Sequence, residues 1–347
     1  MLYTNFFSTS LQKGIRVLKI RYMIKPPEMS RRRFIQSTAA MALSASVLGL
    51  ESPILASSSK KWPVGCRDLH LKTAGKPDSW SCMNALGAEC TEVDVAQNMT
   101  CVHLFHPNGK YVLASQDGIK RLKDDVGAAS CRISAFMMSN ELDKDLDKEL
   151  EWTRRLVKVA VDLGVNAIRI DVVPRTIKGK DEFVAFAIKA CKQLCQIAEG
   201  TPVRFGVENH STLMNDPVLL QRLFDGVGSE KLGMTLDCAN FYWWGHPLNH
   251  LYSLYEQFAP RVIHTHCKNI HYPEDKRNIK REMGWEYSKY NCPLYEGDID
   301  FKRITSILRK ANYAGDLCVE DESLGKFPEA ERGDVVRKEI AALKALA

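Results

Sequence analysis

The sequence predicts a single-domain (β/α)8 barrel over residues 64–347, preceded by an N-terminal signal segment over 1–60. The main observation is that short apolar runs typical of strands alternate with helical periodicities along the whole of that range. Eight such β–α units with right-handed crossovers close a barrel. An open, doubly wound sheet is the competing fold, but no glycine-rich phosphate loop follows an early strand.

The predicted strands are short runs rich in apolar and β-branched residues. In chain order they are RDLHLK (67–72), AECTEVDVA (88–96), CRISAFMM (131–138), NAIRIDVV (166–173), VRFGVEN (203–209), GMTLDCAN (233–240), RVIHTHCK (261–268) and GDLCVED (315–321).

Helical periodicity fills the segments between these strands. The predicted helices cover about 77–86, 116–127, 147–163, 181–199, 217–227, 247–258 and 301–311, and a last helix over 329–346 closes the chain. Two insertions interrupt the alternation, at 100–113 after the second strand and at 269–298 after the seventh.

The net charge of +6 is concentrated at the N-terminus. Residues 1–60 carry nine Lys and Arg against two acidic residues, whereas the remaining 39 basic and 40 acidic residues sum to −1. A neutral body gives no reason to expect nucleic acid as a partner.

The segment SRRRFIQSTAAMALSASVLGL resembles a twin-arginine export signal, with Arg31 and Arg32 as the pair. Its apolar run, 38–50, is too short and too rich in Ser to span a membrane well. We therefore predict export to the periplasm, with cleavage near ILASSSK and no stable membrane span afterwards; residues before Met29 are interpreted as an over-extended gene start. A basic tail on a cytosolic protein is the alternative.

The eleven cysteines lack paired C-x-x-C spacing and are predicted to be buried thiols, with one or two periplasmic bridges left open.

Good metal ligands stand at the ends of the last four predicted strands, which is where a barrel of this kind builds its site. Singly, such a carboxylate is usually a helix cap and such a histidine a core residue. Four in register on consecutive strands are a stronger signal, because charge pointing into a barrel needs an internal partner. A mixed oxygen and nitrogen set suits Mn²⁺, Mg²⁺, Co²⁺ or Zn²⁺. The fifth strand ends in Glu208, Asn209 and His210, the sixth in Asp237, the seventh offers His264 and His266, and the eighth ends in Glu320, Asp321 and Glu322.

The motifs GVENH, LDCANF, HTHCKN, GDIDF and CVEDES, in this order, resemble the sugar phosphate isomerase/epimerase family. This is the xylose isomerase-like TIM-barrel group that includes the D-tagatose and D-psicose 3-epimerases. The resemblance covers about 68–323 and is specific from about Gly206 onward. It implies that one divalent metal ion, first of all Mn²⁺, is bound by four side chains and that the two glutamates transfer protons. By position these ligands are Glu208, Asp237, His266 and Glu320.

The sequence departs from the family at three places. Asn240 stands where these epimerases usually carry a His, Met214 where they often carry a substrate-binding Glu, and Lys268 where a Gly-Glu pair follows the H-x-H motif. Metal binding survives these changes, but 3-epimerisation of a free ketose does not follow from them. Candidate substrate contacts are His210, Asn240, His264, Lys268 and Arg169. Alternatively, His264 lies deeper in the barrel and Arg169 forms an internal ion pair with Asp171.

The predicted activity is that of a metal-dependent sugar isomerase or epimerase, which removes a proton next to a carbonyl and passes through an enediolate. Two glutamates on opposite sides of a sugar or keto-sugar substrate give epimerisation, and one acting twice gives aldose–ketose isomerisation; the sequence leaves both open. A lyase that carries out β-elimination on keto-glycosides is the nearest alternative. An endonuclease IV-like phosphodiesterase and a sugar-binding protein without turnover are less favoured, and a homo-oligomer is compatible with the sequence.

Overall fold

The computed structural model describes residues 61–347, so the predicted signal segment lies outside the described residues. Within this range eight parallel strands form the barrel, and we number them β1 to β8 in chain order. They are Val64–Arg67 (β1), Cys90–Asp94 (β2), Ile133–Met138 (β3), Ala167–Ile170 (β4), Arg204–Glu208 (β5), Leu232–Asp237 (β6), Val262–His266 (β7) and Leu317–Val319 (β8).

Strand β8 closes the barrel, with β1 on one side and β7 on the other. Its residues pair in parallel with β1, Val64 opposite Leu317 and Cys66 opposite Val319. Between β7 and β8 the contact is a single bridge, in which Cys267 N donates to Cys318 O at 2.7 Å and Cys267 O accepts from Glu320 N at 3.0 Å. The (β/α)8 prediction is therefore confirmed.

Helices cover the outside of the barrel. The longer ones are Ser79–Leu86, Gln116–Ala128, Leu146–Leu163, Lys180–Ile197, Pro217–Val227, Leu248–Phe258, Phe301–Lys310 and Glu329–Lys344. The short α-helices are Asp68–Leu71, Ser211–Met214, Asn240–Trp243, Glu274–Arg277 and Tyr287–Tyr290.

Local signals set the helix ends, as the helix Pro217–Val227 illustrates. The carboxylate of Asp216 accepts from Val218 N at 3.0 Å and Leu219 N at 3.3 Å, and Pro217 takes the first helical position. Gly228 ends the helix in the left-handed region at φ 63°, which a residue with a Cβ adopts only with strain.

The predicted first strand, 67–72, is wrong in position. The strand is Val64–Arg67, and Asp68–Leu71 forms a helical turn. Strand β1 runs close to β2 at its interior glycine, Gly65, where a Cβ would lie only 1.7 Å from the Cys90 carbonyl oxygen. The alternation in RDLHLK comes from a helical turn that buries Asp68, where Asp94 N donates to Asp68 Oδ2 at 3.1 Å.

The insertion at 269–298 lies at the end of β7 and is tied to the neighbouring β6 end. Its short strands Asn269–Ile270 and Asn291–Cys292 pair antiparallel. Arg281 packs between the rings of Tyr242 and Tyr272, 4.4 Å from each centroid, and donates to Tyr242 O at 2.9 Å. This arrangement fixes the insertion over the mouth of the barrel.

The eleven cysteines of the described chain are free thiols, and most of them are buried in the apolar core, as predicted. Across residues 61–347, no helix combines the length and the apolarity needed to cross a bilayer.

Candidate active site

The four side chains predicted from the strand ends converge at the C-terminal mouth of the barrel. Glu208, Asp237 and His266 are the last residues of β5, β6 and β7, and Glu320 directly follows β8. One ligand atom from each lies within 4.8 Å of the others, and all four side chains are buried.

Asp237 is oriented by its own backbone surroundings. Its Oδ1 accepts from Ala239 N at 2.8 Å and from Asn240 N at 2.9 Å. The amide of Asn209 accepts from Asp237 N at 2.9 Å and donates to Asp237 O at 3.0 Å, which joins the ends of β5 and β6. Oδ2 is consequently turned toward the cluster, where it has no hydrogen-bond donor.

His266 is oriented by Glu92, a buried residue of β2. Nε2 lies 3.0 Å from Glu92 Oε2, and because a carboxylate only accepts, this nitrogen carries the hydrogen. Burial lowers the pKa of the ring, but Glu320, Glu92 and Glu208 raise it above its usual range. Loss of the proton from Nδ1 would leave a lone pair there, as in a metal-ligating histidine with a carboxylate behind it. Nδ1 lies 3.2 Å from Glu320 Oε2 and 3.5 Å from Glu208 Oε1, without hydrogen-bond geometry to either.

Each ligand carboxylate also has its own cation. Arg169 Nε donates to Glu208 Oε2 at 2.6 Å, and Arg67 Nη1 donates to Glu320 Oε1 at 2.5 Å. Lys268 Nζ lies 2.8 Å from Asp237 Oδ2, outside hydrogen-bond geometry.

These charges decide the ionisation of the carboxyls. Burial alone raises the pKa of Glu208, but Arg169 and His266 hold it below its usual range. Burial likewise opposes ionisation of Glu320, and His266, Lys268 and Arg67 lower its pKa. For Asp237, burial raises the pKa to about 7 against the opposing charge of Lys268, and the neighbouring Glu320 and Glu208 add to the rise.

A cavity of about 370 Å³ opens above the cluster. Glu208 and Glu320 line it, and the fully enclosed Asp237 and His266 lie behind them. Trp243 and Tyr287 add aromatic surface to the lining, and Tyr287 comes from the insertion after β7.

Four of the five predicted substrate contacts line this cavity, and each of the four has a carboxylate partner. Arg169 pairs with Glu208 and, at 3.0 Å, with Asp171, while Asn240 Nδ2 donates to Glu208 Oε1 at 3.1 Å. Lys268 contacts three carboxylates.

His210 is the most accessible of the four, with a side chain 45% exposed. Its Nδ1 lies 2.9 Å from Asp171 Oδ1, and this hydrogen bond raises the pKa of the imidazole.

His264, the fifth candidate, does not line the cavity. It is completely buried, with Nδ1 2.7 Å from Asp316 Oδ1 and Nε2 3.1 Å from Glu92 Oε1. Burial alone would lower its pKa, but the two carboxylates raise it to about 9. Its position agrees with the interpretation that it lies deeper in the barrel.

Two residues that the sequence reasoning missed complete the site. Arg67 lies on β1 and Glu92 on β2, whereas the predicted ligands lie at the ends of β5 to β8. Arg67 Nε is 3.1 Å from Glu92 Oε2. The available signal was a glutamate inside the short strand CTEVD, because a charge in a buried strand needs an internal partner.

The donor set fits a divalent cation at the four strand-end residues. Elsewhere in the described chain, Arg169 neutralises the group of Asp171, Glu208 and His210, and carboxylates bond both nitrogens of His264. In the four-residue group, in contrast, Asp237 Oδ2 and His266 Nδ1 are buried atoms without a hydrogen-bond partner. Two buried ligand atoms without a hydrogen bond, one of them facing the Lys268 ammonium, point among carboxylates as in a metal-binding site.

The fold and this cluster define a barrel with a candidate metal centre, and the family comparison agrees with the barrel. The family model described as "Xylose isomerase-like TIM barrel" matches residues 85–346, and the chain belongs to this family. Among curated proteins, no sequence matches the chain.

Solved structures share the fold at low sequence identity. A xylose isomerase-like TIM barrel protein from Mycobacterium smegmatis, in complex with magnesium, has a TM-score of 0.60 and 16% identity, covering 84% of this chain and 99% of its own. D-Allulose 3-epimerase from Methylomonas sp., in complex with D-allulose, has a TM-score of 0.58 and 14% identity, and the match covers 83% of this chain and 98% of that one. The 3-keto-D-glucoside 4-epimerase from E. coli has a TM-score of 0.57 and 13% identity, and the match covers 82% of this chain and 100% of that one.

Proposed function

We propose that the protein is a divalent-metal-dependent sugar isomerase or epimerase that removes a proton next to a carbonyl group, with Mn²⁺ as the first candidate metal. The observation that carries the proposal is the convergence of Glu208, Asp237, His266 and Glu320 at one cavity. Structures of similar barrels solved with magnesium or zinc support a divalent ion in general.

Glu208, Asp237, His266 and Glu320 would hold the ion, which when bound acts as a Lewis acid toward the substrate carbonyl. The two glutamates stand on β5 and at the end of β8, so they reach a substrate from different sides of the mouth. An arginine fixes one oxygen of each carboxylate, Arg169 on Glu208 and Arg67 on Glu320. A carboxylate held in this way is positioned to take a proton from carbon and to return one.

The charges favour a neutral sugar as substrate. In and directly behind the cavity, three cations (Arg67, Arg169 and Lys268) face six carboxylates (Glu92, Asp171, Glu208, Asp237, Glu320 and Glu322), and each of these cations already has a carboxylate partner. Among the Lys and Arg side chains of the cavity, a phosphate dianion would therefore find no cation without a carboxylate partner. The rings of Trp243 and Tyr287 suit packing against a sugar face.

The test is solvent-deuterium exchange on a panel of neutral ketoses, aldoses and 3-keto-glycosides with Mn²⁺-loaded protein. The shared fold with the 3-keto-D-glucoside 4-epimerase from E. coli supports including keto-glucosides. We expect deuterium at the carbon next to the carbonyl together with an isomer of the substrate. Glu208→Gln and Glu320→Gln should each abolish exchange in a folded protein that still binds metal, whereas the exposed control Glu331→Gln should not. Full activity in either active-site variant would contradict the proposal.

A β-eliminating lyase on keto-glycosides is the second candidate. The observation in its favour is the Asp171–His210 pair in the cavity lining, since elimination needs a group beside the leaving oxygen in addition to the base. The two activities differ in product, because a lyase releases the aglycone alcohol and an epimerase conserves the glycoside. Sugar binding without any exchange would instead indicate a non-catalytic binding protein.

We further propose that the protein is exported through the twin-arginine pathway, a proposal supported by the sequence around Arg31 and Arg32. Cell fractionation of the wild type and of a variant carrying Arg31→Lys and Arg32→Lys tests it. The wild type should appear in the periplasm and the variant in the cytoplasm; equal distribution would contradict export by this route.

A further inference from the structure

Carboxylates surround the Lys268 ammonium on three sides. Its Nζ lies 2.8 Å from Asp237 Oδ2 and 3.3 Å from Glu320 Oε2, which belong to two of the proposed metal ligands. It also lies 2.6 Å from Glu322 Oε1. The Lys268 side chain is only 7% exposed, whereas that of Glu322 is 43% exposed. A point charge on a flexible four-carbon stem is thus placed against oxygens that a divalent cation would use.

An ammonium and a divalent cation cannot share these oxygens without strong repulsion, because the site is buried and its effective dielectric constant is low. Glu322 offers the ammonium a partner outside the ligand set. The insertion after β7 holds Glu322 in place, since Tyr287 Oη donates to Glu322 Oε2 at 2.7 Å and Asn291 Nδ2 donates to Glu322 O at 2.9 Å.

We propose that Lys268 is a positioning residue that competes with the divalent cation for Asp237 and Glu320, and that Glu322 retains the ammonium when the cation binds. The inference rests on the proposed function, because it requires a divalent cation at the four ligands. It assigns Lys268 the role of setting the affinity of the site for metal, and it leaves Glu322 as the partner of the ammonium in the metal-loaded protein.

Titration calorimetry with Mn²⁺ on chelator-treated, folded protein tests the proposal without any assay of turnover. Lys268→Met should bind Mn²⁺ at least about tenfold more tightly than the wild type, because the competing charge is gone. Glu322→Gln should bind it several-fold more weakly, because the ammonium loses its alternative partner. Lys268→Gln serves as a second uncharged variant if the Met variant does not fold.

Lys326→Met is the matched control. It removes a lysine from the same side of the barrel, but the Lys326 ammonium contacts only the backbone oxygens of Lys289 and Asn291 among the described residues. Its Mn²⁺ affinity should stay within about twofold of the wild type, since a charge away from the ligand oxygens is largely screened.

The double variant separates competition from a general effect of charge. If Glu322 acts through Lys268, Glu322→Gln has no further effect in the Lys268→Met background. Additive effects of the two substitutions would overturn the proposal, and so would Mn²⁺ binding that is unchanged or weaker in folded Lys268→Met. Failure of the wild type to bind Mn²⁺ would instead contradict the proposed function itself.

Discussion

His264 and His266 stand two residues apart on the same face of β7, and both are completely buried. Carboxylates bond both ring nitrogens of His264, Asp316 on one side and Glu92 on the other. His266 shares Glu92 but keeps Nδ1 free of hydrogen bonds, directed at Glu208 and Glu320. The comparison shows that residue type and burial do not identify a functional histidine. The two rings differ in the nitrogen without a hydrogen bond, which on the proposed function makes His266 the metal ligand and His264 a partner that holds the shared Glu92.

The largest expected difference between the two histidines is in metal binding. His266→Gln should lower Mn²⁺ affinity at least about 100-fold, because it removes a ligand of the ion, and turnover should disappear with it. His264→Gln should leave Mn²⁺ binding detectable under the same conditions. Calorimetric titration of the two variants side by side measures this, and equal losses in both would remove the distinction.

Stability should show the reverse order. His264→Gln leaves the buried Asp316 without its charged partner and removes one of the partners of Glu92. Breaking a buried pair in this way costs about 3–5 kcal/mol of unfolding free energy. His266→Gln should cost less, because His266 has one side-chain hydrogen bond, with Glu92, whereas His264 has two. Urea unfolding in the presence of chelator compares the variants, and a greater loss in His266→Gln would contradict the account.

The pH dependence of stability sharpens the comparison further. Asp316 and Glu92 raise the pKa of His264 to about 9, against burial, above the value near 6.5 of an unfolded chain. The folded state therefore binds the extra proton, and its contribution of about 3 kcal/mol is complete below pH 6.5 and lost as the pH rises toward 9. The unfolding free-energy difference between wild type and His264→Gln should shrink over this range. A difference that is independent of pH would show that His264 is not charged in the fold.

Glu92 should give the smallest of these effects because it touches the ion only through His266. Glu92→Gln keeps an acceptor for His266 Nε2 but removes the charge, and such changes behind a ligand cost about 10–100-fold in metal affinity. Mn²⁺ titration checks the value. An affinity unchanged from the wild type would mean that the ring is held by packing alone.

The sequence was sufficient to predict the barrel and the four converging side chains. Alternating strand and helix patterns carry the fold, and the ends of parallel strands must meet at one mouth. Among the polar residues at those ends, the resemblance to the sugar isomerase family then singled out Glu208, Asp237, His266 and Glu320. The first strand was misplaced because a helical turn at Asp68–Leu71 imitates the alternation of a strand.

The partners of these side chains could not be predicted in the same way. Glu92 lies 172 residues before His264 and meets it only because the barrel closes. The Arg169–Asp171 ion pair was one of the alternatives that the sequence offered, and it is present. The contacts of Arg169 with Glu208 and of Lys268 with Asp237 depend on side-chain reach across the barrel interior, which strand spacing does not encode.

Anomalous diffraction from a crystal of the Mn²⁺-loaded protein tests the central claim most directly. The account predicts one strong peak bonded to Glu208, Asp237, His266 Nδ1 and Glu320, facing the cavity beneath Trp243 and Tyr287. A peak at Asp171 and His210 instead, or none at the ends of β5 to β8, would contradict it.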